Sequence, residues 1–482
     1  MTEKRSSHQQ GMVLSGPSVQ AEHDYSSHAA RFEDPESDLI RPMLTTGNGF
    51  YRTAAALGAV AAWGLFAWLY QLWNGLGTTG LNRPVYWGLY VVNFVFFIGI
   101  SHAGTLISAI LRLCQAEWRR AITRSAEMMT VIALFFGVGS VVLDLGRPDR
   151  VFLLFRDGNI QSPLLWDMIS ITAYLTISSI YLYLALIPDI AILRDRVPGR
   201  RWLYRPLALG WTGSEQQQRY LKVAIGVMSV LVIPAALPID SWVFAMIIQP
   251  MWHSIILGPY FAGASFSAIA ALLIVMGVIR RAYHLENYLK PAHFTNLGLL
   301  LVAMSLIWFY FTFAAHLTVY YGGATKEQTV FFSKLFGPYA PLFWAMMATN
   351  VVIPLLILSN RRTRTVTGTI VASVAVTVGM WLERLTIVVP SLANPRLPYA
   401  TGVYHPSWVE WSVTAGFLAM FILVYMLCSK LFPIVSIWEI REGREKGFAE
   451  ARERIESYLP GWAVLGARPV RIRNDDDRVL QN

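Results

Sequence analysis

The sequence predicts an all-α polytopic membrane protein: about ten transmembrane helices, as two four-helix bundles plus two flanking helices. Three observations carry this expectation. Of 482 residues, 55% are hydrophobic and only 15% charged, against about 25% charged in an ordinary soluble domain. Runs of roughly 20 apolar residues, long enough to cross a hydrocarbon core, recur almost from end to end. Finally, "AGTLISAI" at Ala103–Ile110 returns as "AGASFSAI" at Ala262–Ile269. The copies lie four apolar runs apart, so they cross in the same direction, as a duplicated four-helix unit would. Small residues at helical spacing also permit close helix packing, and that simpler reading stays open.

Residues 1–50 are polar, lack the apolar core of a secretory signal, and read as a flexible cytoplasmic tail that orders against a partner. A first flanking helix near 53–73 and its loop fill 51–84. Spans near 85–112, 122–143, 163–187 and 218–237 make the first bundle, 85–240; Pro234 and Pro238 interrupt the last of them. Spans near 252–280, 293–320, 335–358 and 365–390 make the second, 241–392. A flanking helix near 407–432 lies in 393–438, and 439–482 is a cytoplasmic tail.

The net charge of +10 is not a nucleic-acid footprint, because the basic residues sit in short connections between apolar runs. Arg112, Arg119, Arg120 and Arg124 join spans two and three; Arg194, Arg196, Arg200, Arg201, Arg205 and Arg219 join spans four and five. The 5–6 connection has neither Lys nor Arg. The positive-inside rule then puts both termini in the cytoplasm and the loop holding Arg147 outside. The two cysteines, Cys114 and Cys428, are too few for an iron–sulfur cluster, a zinc site or a haem attachment. No metal site is expected.

Charges in spans are rare and usually functional. Here most fall at the outer ends: Asp144 closing span three, Asp167 in "SPLLWD", Asp240 in "LPIDSW", His253 in "MWH", His316, Glu383, Arg384 and His405. Quinol oxidation calls for such equipment, since two protons must reach carboxylates or imidazoles close to the hydroxyls. Trp166, Trp242, Trp252 and Tyr260 would flank a flat ring. Each residue also has a structural reading. Asp144 and Arg147 would form a helix-end salt bridge; Asp167 would stabilise the N-terminus of span four; Asp240 would belong to a proline-flanked turn. Glu383 and Arg384, being adjacent, are expected to send at most one side chain inward. His405 reads as a loop residue, and the Trp and Tyr residues as an interfacial belt. His102, about 15 Å inside Arg112 along the helix, and Glu127 are proton-path candidates. His102 has no facing histidine for haem ligation and otherwise reads as a hydrogen-bonded packing residue.

"ISHAGTLISAILRL", "LGRP", "SPLLWD", "LIPDIAILRDR", "WHSIILGPYFAGASFSA" and "YHPSWVEW" together resemble the NrfD/PsrC-like integral-membrane quinone subunits. The likeness is greatest to the C subunit of bacterial alternative complex III and runs from about Trp87 to Trp438. It implies a subunit of a quinol-oxidising complex in the bacterial inner (cytoplasmic) membrane, with menaquinone the favoured substrate and no metal or haem in this chain. The implied partners are an outer-face iron–sulfur subunit, multihaem cytochrome c subunits and a paralogous membrane subunit. The resemblance carries the quinol site onto Asp144, Arg147 and Asp167, and further onto Asp240, His253 and Arg384; Trp166 joins them as the aromatic quinol-binding candidate read from the residues. Asp144 stands where relatives often have His, and Val243 where they can have an acid, so the chain also fits the paralogous F subunit, a non-catalytic scaffold. A secondary transporter or proton channel is the competing class. Inverted repeats and mid-membrane helix breaks would mark it, whereas the repeat here is parallel.

Overall fold

The computed structural model describes residues 35–247, 257–395 and 401–444, and the side chains of all of these but 35, 105, 106, 155, 240, 245 and 257–259. Among the described residues ten helices are long and apolar enough to span a membrane: α1 (Asn48–Asn74), α2 (Leu89–Leu113), α3 (Thr123–Asp144), α4 (Pro163–Arg196), α5 (Glu215–Ile247), α6 (Leu257–Ala282), α7 (Pro291–Gly322), α8 (Ala340–Leu358), α9 (Val366–Ala393) and α10 (Trp408–Leu431). The chain is thus a polytopic all-α protein. Helix α5 runs straight through Pro234 and Pro238; a spanning helix tolerates proline where neighbours re-satisfy the freed carbonyls.

The packing follows the chain. Helix α2 lies on α3, α3 on α4, α4 on α5, and α5 returns to α2; likewise α6, α7, α8 and α9 close a second ring. The rings meet along α2 and α6, the two helices that hold the repeated octapeptides. The copies differ locally. Residues 262–269 stay α-helical, whereas Gly104–Ile110 form a π-helical turn. The cause is Thr130 on α3: its Oγ1 accepts from the Gly104 amide (2.7 Å) and donates to the Ser101 carbonyl (2.6 Å), redirecting one rung of the α2 ladder. A threonine Cβ 3.0 Å from the position a Gly104 Cβ would take shows why glycine is needed there.

The flanking helices α1 and α10 pair with each other and lean on α2 and α3. Their contact runs through Gly64 and Gly416: a Cβ on Gly64 would lie 2.6 Å from the Gly416 Cα, so the backbones themselves touch. The first ring has two ends, an Arg124 end and an Asp167 end. Both described termini lie at the Arg124 end, where Glu36 pairs with Arg196 (3.0 Å) and Arg441 (3.3 Å).

Two segments depart from expectation. Within the expected tail, Pro35–Leu44 is a helix that seats Leu39, Ile40 and Met43 in the core. Lys430 fixes it by donating to the carbonyls of Pro42 (2.6 Å) and Thr45 (2.9 Å). Three apolar residues at i, i+1 and i+4 are enough to make one sticky face. The amphipathic helix Thr325–Leu335 between α7 and α8 is too short and too charged to register as a span.

Candidate functional site

At the Asp167 end of the first ring, Pro163 starts α4 and places Trp166 and Asp167 in its first turn. Asp167 is 6% exposed. Trp166 stacks edge-on against Trp242 of α5, centroids 5.2 Å apart, and donates its indole N–H to the Ile160 carbonyl (2.6 Å). Asp240 lies in α5, two residues before that tryptophan. Its side chain and the whole of His253 fall outside the described residues. A buried carboxylate and one member of an aromatic pair in the same helical turn, near one end of the ring, suit a flat ligand with an exchangeable proton.

Asp144 closes α3 on another flank. Glu410 of α10 and Tyr90 of α2 lie within its electrostatic reach. Its Oδ1 is buried with no hydrogen-bond partner among the described residues. Gln71 of α1 ties this corner together, binding the Tyr90 hydroxyl and donating to the Leu143 carbonyl (3.2 Å). Arg147 does not close on Asp144. It pairs with Asp149 (3.1 Å) at the surface, 63% exposed, and that hydrogen bond holds the Asp149 carboxyl below its usual range. The left-handed Gly146 (φ +61°) turns the chain away from the helix end and sends Arg147 outward.

In the second ring Glu383 and Arg384 are both buried, at 8% and 1%, correcting the expectation that only one would point inward. Glu383 accepts from Trp308 Nε1 (3.1 Å) and from the Arg384 guanidinium. Adjacent side chains on a helix diverge by about 100°, but an arginine is long enough to fold back along the helix surface. The room comes from glycines: a Cβ on Gly99 of α2 would lie 3.0 Å from Arg384 Nη2. Arg384 thus sits at the seam between the rings rather than at the Asp167 edge. Beyond Glu383 is a cavity of about 120 Å³ that also touches His316 and Lys334.

The first-ring interior carries the deeper polar groups. His102 is 1% exposed, hydrogen-bonds through Nδ1 to the Ile98 carbonyl (2.9 Å), and packs against Tyr174 and Phe261. Glu127 accepts from Ser108 Oγ (2.5 Å), which also meets the Tyr181 hydroxyl (2.7 Å). Arg112 donates to that same hydroxyl (3.2 Å). Among the described residues no hydrogen bond joins His102 to Glu127.

Sequence reasoning missed the ion network at the Arg124 end. Arg124 reads from the sequence as a connecting-loop charge, yet it is 1% exposed in the first turn of α3. It bonds Glu127 (3.0 Å), Asp189 of α4 (3.0 Å) and the Ala185 carbonyl (2.5 Å). The segment after α10 closes over it: Asp189 accepts from the Trp438 amide (3.0 Å), and Glu439 pairs with Arg112 (2.8 Å) and Arg119 (3.2 Å). Burial lowers the Arg119 pKa, while Glu439 works against that shift. The available signal is "LIPDIAILRDR", which holds an acid inside an apolar run. Glu410 was also missed. It caps α10 in a capping box with Ser407 and accepts from Tyr404 (2.5 Å) and the Gly80 amide (2.7 Å). Burial, then the Glu410 charge, raises the Tyr404 pKa. His405 is exposed in the loop before it.

Two helical rings with buried charge at their ends and seam, and a flanking pair sealing one side, define a multi-pass membrane protein built to hold ionisable groups within the bilayer. Comparison with known proteins makes this specific. Residues 77–395, more than half the chain, match the family described as "Polysulphide reductase, NrfD". The chain belongs to that family. It is similar to a putative dimethyl sulfoxide reductase membrane subunit of Halobacterium salinarum, at 24% identity over 83% of this chain and 95% of the relative. It is also similar to the Hdr-like menaquinol oxidoreductase integral membrane subunit of Archaeoglobus fulgidus, at 23% over 84% and 97%. A third relative is the menaquinone reductase integral membrane subunit of Nitratidesulfovibrio vulgaris, at 23% over 77% and 88%.

Proposed function

We propose that this chain is the quinone-reactive membrane subunit of an oxidoreductase complex of the alternative complex III kind, and that it oxidises menaquinol at the Asp167 end of the first bundle. The observation that carries this reading is Asp167, buried in the first turn of α4 one residue after Trp166, whose ring meets Trp242. Family membership and the menaquinol named in one relative support it. The unit spans residues 85–240, with 241–392 a second bundle and 51–84 and 393–438 flanking.

Quinol enters from lipid beside α4 and α5. Asp167 takes one hydroxyl proton, and Asp144 or His253 takes the other, with Asp240 beside the ring. Two electrons leave to an iron–sulfur subunit docked on that face and onward to cytochrome c subunits, so the quinol becomes quinone with two protons released. The surface pair Arg147–Asp149 is placed for a docking partner rather than for the ring. The arginine-rich connections favour a cytoplasmic Arg124 end in a bacterial inner membrane. Glu127, Ser108, Tyr181 and Arg112 are a proton route from that end.

Asp167→Asn tests the site. Removing a positioned proton acceptor should slow quinol oxidation by about 100-fold while the complex assembles normally. Unchanged turnover would reduce Asp167 to a residue that stabilises the start of α4.

A further inference from the structure

The second-bundle cavity is not used by the function above, and its chemistry is specific. It lies between α7, the helix Thr325–Leu335, α8 and α9. Its volume of about 120 Å³ falls below the ~300–1,000 Å³ of sites that enclose a whole drug-sized ligand. A long tail therefore cannot be enclosed and stays outside.

Its polar groups are fixed and complementary. His316 Nδ1 lies 2.7 Å from the Thr312 carbonyl, so the proton is on Nδ1 and Nε2 is left as an acceptor. Lys334 supplies an ammonium with no hydrogen bond or ion pair among the described residues. Glu383 lines one wall of the space, its carboxylate held by Trp308 and Arg384. Phe311, Phe331 and Phe343 complete apolar walls. Around the lining residues, Tyr320, Phe332 and Phe336 are 58%, 45% and 74% exposed, as at a lipid interface.

We propose that this cavity is a second quinone-headgroup site, separate from the first-bundle site. In the reduced ring one hydroxyl oxygen accepts from Lys334 and the other hydroxyl donates to His316 Nε2; in the oxidised ring a carbonyl oxygen accepts from Lys334 alone, and in both states the aromatic walls cover the faces. A phosphate headgroup fits worse: it has no proton to offer Nε2 at neutral pH and would face the carboxylates of Glu327 and Glu383, which also line the space. The ligand class rests on the quinone-linked function proposed above; the location does not.

The test is photolabelling of native membranes with an azido-naphthoquinone bearing a short isoprenoid tail, followed by peptide mapping. Two labelled regions are expected, one containing Asp167 and one between Trp308 and Phe343. Lys334→Met should reduce the second label about tenfold, the effect of one charge-assisted hydrogen bond, and His316→Ala should weaken displacement of that label by reduced short-tail menaquinol; both should leave the first label unchanged. Competition in the unsubstituted protein gives a readout that does not depend on a variant folding: excess short-tail menaquinone should displace the label and phosphatidylglycerol vesicles should not. Label at the Asp167 region alone overturns the second site and leaves the function standing. Label in the second-bundle region alone supports the second site and overturns the first. Displacement by phosphatidylglycerol but not by menaquinone overturns the second site in favour of a lipid cleft.

Discussion

Replacing Arg124 with Met probes the least expected feature of the protein. The guanidinium is 1% exposed and serves Glu127, at 2%, and Asp189, at 0%. Its two terminal nitrogens meet those carboxylates at 3.0 Å each. Methionine matches the apolar stem but leaves two buried acids facing each other without their shared cation. Breaking a buried pair by removing one partner costs about 3–5 kcal/mol, roughly a 150- to 5,000-fold shift in the folding equilibrium. The residual bonds of Glu127 to Ser108 and of Asp189 to the Trp438 amide put the expectation at the lower end, about 3 kcal/mol. The assay is thermal unfolding of the detergent-solubilised protein, with near-ultraviolet circular dichroism of Trp438 and its neighbours. A charge-removal series sharpens it: Arg124→Met with Asp189→Asn and Glu127→Gln removes all three charges and should recover most of the loss. A single-variant loss below about 1 kcal/mol, or a triple variant no better than the single, would refute a buried, mutually dependent network.

Three further outcomes are expected. Burial lowers the Lys334 amine to about 8, against an opposing pull from Glu383; His316, Glu327 and Tyr260 also face the space. Its folded pKa lies below the unfolded one, so the native state binds fewer protons between about pH 8 and 10.5, and stability rises with pH across that window. Amine acylation at Lys334, followed by mass spectrometry, should inflect near pH 8, and lower still in Glu383→Gln; an inflection near the ordinary lysine value would remove the burial argument. Gly64→Leu should drive α1 from α10, costing about 1–3 kcal/mol by overpacking. Thermal unfolding of the detergent-solubilised protein checks this, and a midpoint equal to the parent's would refute backbone contact between the two helices. Glu439→Gln should free Arg112 and Arg119 and speed proteolysis between α10 and the C-terminus, with little effect on the Asp167 end.

The ten spans, their order and their ring-wise packing are legible in the chain because hydrocarbon thickness allows few lengths and connections between neighbours are short. The clustering of charge near span ends is equally legible, since a charge in lipid is costly and rarely accidental. Partners are not. Asp144 and Arg147 are three residues apart and look like a pair, but a left-handed glycine separates them. Glu383 and Arg384 look divergent, yet Gly99 of α2 and Gly263 of α6 make space for the arginine to turn back. Arg124 looks like a loop charge and is the centre of a buried network, because two acids from α3 and α4 and a returning C-terminal segment surround it. Apolar periodicity and chain length are properties of one segment at a time and can be read from letters. Which charge meets which depends on the rotation and depth of several helices at once, and only tertiary packing sets those.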